Sequence, residues 1–240
     1  VALVLTPLIS VIYLIKKHKL PLSFSVKPVK LELSFWKYGI FASLSNVASQ
    51  LLFVIDLLLI GFLLNDSEMV TSYKYISIIP LSLLFLPRAF INTDFVAFTE
   101  NIYNRDYILK YIKSYMLLFS IISCCICIFF GFTSAYVLSI FDSNFVQYNL
   151  SFMILIVGIF GILIFRGLFG NLLSSIGKAH VNFYITSFAL ILNIISNYYL
   201  IPTYGILGAS ITSAVLMWIT GLLTTFVFWW LYNKRFLTKK

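Results

Sequence analysis

Apolar residues run through this chain in seven long stretches, over 1–15, 38–64, 69–92, 107–138, 150–173, 183–200 and 207–232, separated by short clusters rich in polar residues, glycine and proline. At about 1.5 Å per helical residue, each stretch after the first is long enough to cross a hydrocarbon core of about 30 Å, or nearly so. The first is too short and reads as the end of a preceding transmembrane helix. The pattern therefore predicts an all-α, polytopic transmembrane bundle: one six-helix lobe over 36–233, preceded by the helix end at 1–15 and a basic linker at 16–35, and closed by a basic tail at 234–240. Pro21 and Pro28, with Lys27 and Lys30, keep the linker out of the membrane, although Val29 to Phe35 could begin an interfacial helix.

The polar residues inside the apolar stretches carry the functional information. In the first complete span Ser45, Asn46, Ser49, Gln50 and Asp56 fall on one helical face. The return span carries Lys74, Pro80, Pro87 and Arg88. Asp56 lies about nine residues from the acidic turn 65–68 and Lys74 a similar distance beyond it. Matched depth predicts a buried pair, because an ion inside a membrane requires a partner or water. Arg88 and Arg166 also share a depth, in the opposite half. They are expected either to snorkel to headgroups or to line a passage for an anion, since guanidinium grips phosphate in a bidentate fork. Asn182, Thr186, Asn193 and Asn197 recur at helical spacing and are expected to form interhelical hydrogen bonds. Gly205, Gly208 and Thr212 suggest close packing, and Gly158 and Gly161, like the two prolines, are expected to weaken or kink their helices.

Composition agrees with this pattern. The chain is 61% hydrophobic and 10% charged, with a mean hydropathy of +0.99, too little polar surface to clothe a soluble domain. Of its 17 basic residues, 14 fall in one alternate set of loops and termini, and the opposite turns at 64–69, 141–149 and 201–206 hold none. The positive-inside rule makes the basic set cytoplasmic, with the C-terminus on the same side. A formal charge of +9 placed this way speaks for membrane lipids as partners and against nucleic acid. The chain begins Val1-Ala2-Leu3 without a basic leader, and the expectation is that part of a larger protein precedes it.

Catalytic chemistry is not expected. Cys124, Cys125 and Cys127 lie in one apolar run with no ligand-spaced partner and read as small buried hydrophobes, so neither a disulfide nor a metal site is predicted. His18 and His180 sit in loops and read as solvated. No phosphate-cradling glycine loop, zinc motif or nucleophile elbow occurs, the outer loops are short, and the eight acidic residues are scattered apart from Asp66 and Glu68. No cofactor is expected, and a transporter is favoured over an enzyme. A membrane glycan polymerase or ligase would need a longer outer loop, and a cation antiporter a more acidic interior.

Several strings resemble the second helical lobe of polysaccharide flippases of the multidrug/oligosaccharidyl-lipid/polysaccharide exporter superfamily: 38–42 with Ile55 to Gly61, Tyr73-Lys74-Tyr75, Arg166-Gly167, Ser175 to Lys178, Asn193 to Asn197, and the Ile201-Pro202-Thr203-Tyr204-Gly205 turn before Gly208-Ala209-Ser210. The resemblance implies two six-helix lobes around a central cavity, moving a polyprenyl-pyrophosphate-linked oligosaccharide across the inner membrane by alternating access, for O-antigen or related surface polysaccharide. Its implied partners are the lipid-linked oligosaccharide, the absent N-terminal lobe and other polysaccharide-assembly proteins. On that reading Arg88 and Arg166 attract the pyrophosphate, Asn46, Ser49 and Gln50 bond sugar hydroxyls, and Asp56 carries a coupling proton or cation with Lys74 as competitor.

Overall fold

The structure, a computed structural model, describes residues 33–237, with the side chains of Ser34 and 235–237 left aside. The expected helix end at 1–15, nearly all of the 16–35 linker and the last three residues of the tail lie outside the described residues. From Trp36 onward the chain forms one compact unit.

Among the described residues, eight α-helices build six spans. Helix α1 (Leu33–Leu64) is the first span and begins inside what was expected to be linker. Helices α2 (Ser67–Ser82) and α3 (Phe85–Glu100) share the second, and α4 (Arg105–Phe141) is the third. A 3₁₀ turn (Ser143–Tyr148), α5 (Asn149–Gly161), a π turn (Ile162–Arg166) and α6 (Gly167–Ser175) make the fourth. Helices α7 (Ala179–Tyr204) and α8 (Ile206–Leu237) complete the bundle. The turns follow from local chemistry. The Asp66 carboxylate caps α2 by accepting from the amides of Glu68 (2.8 Å) and Met69 (3.2 Å), and Asn104 caps α4 through Tyr107 N–H (3.2 Å). Gly205 connects α7 to α8 at φ 57°, a conformation that favours glycine.

The spans alternate in direction, so the bundle has two ends. The basic end holds the start of α1, the α3–α4 and α6–α7 turns and the end of α8, with Lys37, Arg105 and Lys178 among its charges. The opposite end holds Asp66, Glu68 and Asp142.

Span four and α8 are the most enclosed, while α4 is largely exposed along its apolar length. Lipid is as apolar as leucine, so burial alone does not hold such helices together; close backbone approach does. A Cβ at Gly158 would lie 2.6 Å from the Ala214 Cα, and one at Gly161 2.8 Å from the Trp218 Cα. Both glycines thus admit α8 to contact. The chain departs from regular α geometry just beyond Gly161, in the π turn, where Gly167 N–H bonds the Ile162 carbonyl and the Tyr115 hydroxyl donates to the Leu163 carbonyl at 3.1 Å. In the second span the break falls at Leu83 and Leu84, between the prolines. Pro87 sits in the first turn of α3, where a missing N–H costs nothing.

Two smaller expectations are corrected. Cys124 and Cys125 are exposed on the apolar outer face of α4 rather than buried, and all three cysteines are free thiols. His180 is in the first turn of α7, half-buried, its ring 6.0 Å from that of Phe41 and 6.2 Å from that of Tyr184, rather than solvated in a loop.

Candidate substrate cavity and buried carboxylate cluster

A cavity of about 670 Å³ occupies the half of the bundle nearer the basic end. Five side chains singled out in the sequence, Asn46, Ser49 and Gln50 of α1, Arg88 of α3 and Arg166 of the π turn, all line it. Asn92, Asn171, Ser174, Asn182 and Thr186 add to its polar wall. No aspartate or glutamate is among its lining residues.

The two arginines are held differently. Arg166 Nη2 donates to Ser49 Oγ (3.0 Å) and Thr186 Oγ1 (2.9 Å), and Nη1 to Thr220 Oγ1 (3.3 Å). The threonine hydroxyls spend their protons on carbonyls of their own helices, Thr186 on Asn182 (2.8 Å) and Thr220 on Leu216 (2.8 Å), and so present lone pairs to the guanidinium. Of five guanidinium N–H groups, Nε–H and one on Nη1 remain unspent. Arg88 is exposed to the cavity and bonds no described residue. Among the described residues no carboxylate pairs with either arginine.

Asp56 faces elsewhere. It is 2% exposed and accepts from four neutral donors: Asn193 Nδ2 (2.9 Å) and Asn197 Nδ2 (2.7 Å) on Oδ1, and the hydroxyls of Tyr73 (2.9 Å) and Ser213 on Oδ2. Asn197 Nδ2 also bonds Asn193 Oδ1 (3.0 Å), while Asn197 Oδ1 is buried without a partner. The expected Asp56–Lys74 pair does not form. Lys74 is one residue, about 100° of helix, beyond Tyr73. That rotation turns Tyr73 to the carboxylate and leaves Lys74 exposed on the outside of α2. Depth counting fixes height along a helix but not the direction in which a side chain leaves it.

The cluster and the cavity share three helices at a constant offset. Ser49 and Asp56 on α1, Thr186 and Asn193 on α7, and Thr220 and Ser213 on α8 are each seven residues apart, about 10.5 Å along the axis. The expected interhelical bonding of α7 is divided accordingly. Asn193 and Asn197 serve the carboxylate, Thr186 the arginine, and Asn182 Nδ2 bonds the Gly170 carbonyl (2.6 Å).

Tyr73, Ser213, Asn92 and Asn171 were not singled out in the sequence. Counting back eight residues from the 201–206 turn puts Asn193 at about the depth of Asp56, a signal that lies outside the 38–92 hairpin. Asn92 and Asn171 sit near span ends, where polar residues ordinarily meet headgroups.

Among the described residues no group of histidine, cysteine and carboxylate side chains has the arrangement of a metal site. No family model, curated protein or solved structure matches the chain.

Proposed function

We propose that this bundle is a lobe of a flippase that moves a polyprenyl-pyrophosphate-linked oligosaccharide across the cytoplasmic membrane, with its basic end in the cytoplasm. The observation that carries the reading is the cavity wall: two arginines, a row of hydroxyl and amide groups, and no carboxylate. Such a wall attracts a diphosphate and hydrogen-bonds a glycan, and it disfavours the cationic drugs that an antiporter would carry. Arg166, pinned by three hydroxyls, acts as a fixed positive post. Arg88, with all its donors unspent, is the arm that closes on the anion. The resemblance of the α1, α7 and α8 strings to polysaccharide exporters supports the same substrate class, and the basic loops at one end support the orientation.

On this reading Asp56 is the seat of the coupling proton or cation. Its support is the arrangement of a buried carboxylate that meets four neutral donors and no cation, with the unpartnered Asn197 Oδ1 beside it.

The test replaces Arg88 and Arg166 by Gln, singly, in the complete transporter and measures export of labelled lipid-linked glycan. A fall of at least tenfold for each is expected. Unchanged export in both would remove the arginines from the substrate path and the reading with them.

A further inference from the structure

The cavity wall is sorted by height. On α3, Asn92 lies four residues nearer the basic end than Arg88; on α7, Asn182 lies four nearer than Thr186, which holds Arg166; on α1, Asn46 lies three nearer than Ser49, which also holds Arg166. On α6, Asn171 lies five residues nearer the basic end than Arg166. Four helices thus place an amide about one helical turn, ~5.4 Å, closer to the basic mouth than the cationic level.

The amides on α6 and α7 are also oriented. Asn171 Nδ2 donates to the Gly167 carbonyl (2.7 Å), and Asn182 Nδ2 donates to the Gly170 carbonyl (2.6 Å) and to Ser174 Oγ (3.2 Å). Both N–H groups of Asn182 and one of the two of Asn171 are spent on the wall itself, and no described donor reaches either Oδ1. Each amide therefore offers the cavity an acceptor. At the deeper level the two guanidinium groups are the reverse, because guanidinium only donates. A ligand matched to this order presents an acceptor-rich anion to the depth and hydrogen-bond donors one ring's length behind it.

Resting on the flippase reading, we propose that the amides of Asn92, Asn171 and Asn182 form a separate sugar-selecting tier, which accepts from donor groups on the first sugar while the diphosphate sits below on Arg88 and Arg166. The head group then enters with phosphate innermost and glycan toward the mouth. Selection between lipid-linked glycans occurs at the amide tier, and selection for the anion occurs at the arginines.

The experiment compares two probes on the complete transporter that contains this chain, in lipid nanodiscs: farnesyl diphosphate, and farnesyl diphosphate carrying one hexose. The unaltered chain should prefer the glycosylated probe by about tenfold, the range of one or two net hydrogen bonds. Asn171→Leu and Asn182→Leu should each reduce that preference at least threefold and leave affinity for bare farnesyl diphosphate unchanged, which also certifies their fold. Arg88→Gln should weaken both probes equally. Should the α6 and α7 variants fail to fold, Asn92→Leu, whose side chain bonds no described residue, carries the same expectation. A preference that survives all three substitutions, or an equal loss of both probes, overturns the tier and leaves the anion cavity standing. Failure of the unaltered chain to bind either probe overturns the flippase reading itself.

Discussion

Two polar regions share α1, α7 and α8, yet they differ in kind. Around Asp56 every carboxylate lone-pair direction meets a donor and the side chain is sealed from the surroundings. Around Arg166, two turns away, hydroxyls hold the cation from one side and an open cavity takes the other. Saturation by neutral donors makes a region rigid while leaving its charge unbalanced, because each donor left without its acceptor keeps its desolvation penalty. Partial satisfaction makes a region receptive, because the unspent donors await a ligand. The same helices can therefore be rigid at one height and responsive at another.

The sharpest way to break this contrast is to remove the acceptor from the sealed region. Asp56→Ala leaves four donors without their shared partner and should cost about 3 kcal/mol, from roughly 0.6–1 kcal/mol per intramembrane hydrogen bond plus the burden of orphaned groups. Asp56→Asn should cost less than half of that. Both are read by unfolding in mixed micelles as denaturing detergent is raised. Equal stability of Asp56→Ala and the unaltered chain would mean that the cluster is not saturated as described.

A smaller effect is expected at the cavity. In Arg166→Gln the Thr186 and Thr220 hydroxyls keep the bonds they donate to their own helices, so nothing is orphaned and the same unfolding measurement should move by about 1 kcal/mol or less. A loss matching that of Asp56→Ala would make Arg166 a structural strut. The smallest effect belongs to Lys74→Gln, a change on the exposed side of α2, which should fall within about 0.5 kcal/mol. In a double-mutant cycle with Asp56→Asn the coupling should stay below about 0.5 kcal/mol, as for residues with no shared partner. A larger coupling would revive the pair that the geometry denies.

The sequence made some of this arrangement legible and concealed the rest. Hydropathy marks the six spans because few apolar runs of that length have another use. Helical periodicity put Asn46, Ser49 and Gln50 on one face, and matched depth put Arg88 beside Arg166; these are one-dimensional quantities, which a sequence carries. The partner of Asp56 is an azimuthal matter. Tyr73 and Lys74 stand at nearly the same height, and only the packing of α2 against its neighbours chooses between them. The π turn leaves no periodic trace, since a single widened turn within a continuous apolar run changes which way Arg166 points without changing the run. Gly158 and Gly161 were expected to weaken or kink their helix; the α8 backbone seated against both adds close approach, which depends on a neighbouring helix that the local sequence does not name.

That glycine contact has a mechanical implication. With Gly158 and Gly161 seated against the Ala214 and Trp218 backbone, and Gly221 likewise pressed to Gly161, α5 and α8 have no side-chain cushion to compress or slide upon. They form a chassis without slack between its members, and Arg166 is carried at its edge. Arg88 is mounted instead on α3, past the interruption at Leu83 and Leu84, on a separate half-span. The two positive charges of the cavity wall are thus anchored to different pieces of the scaffold.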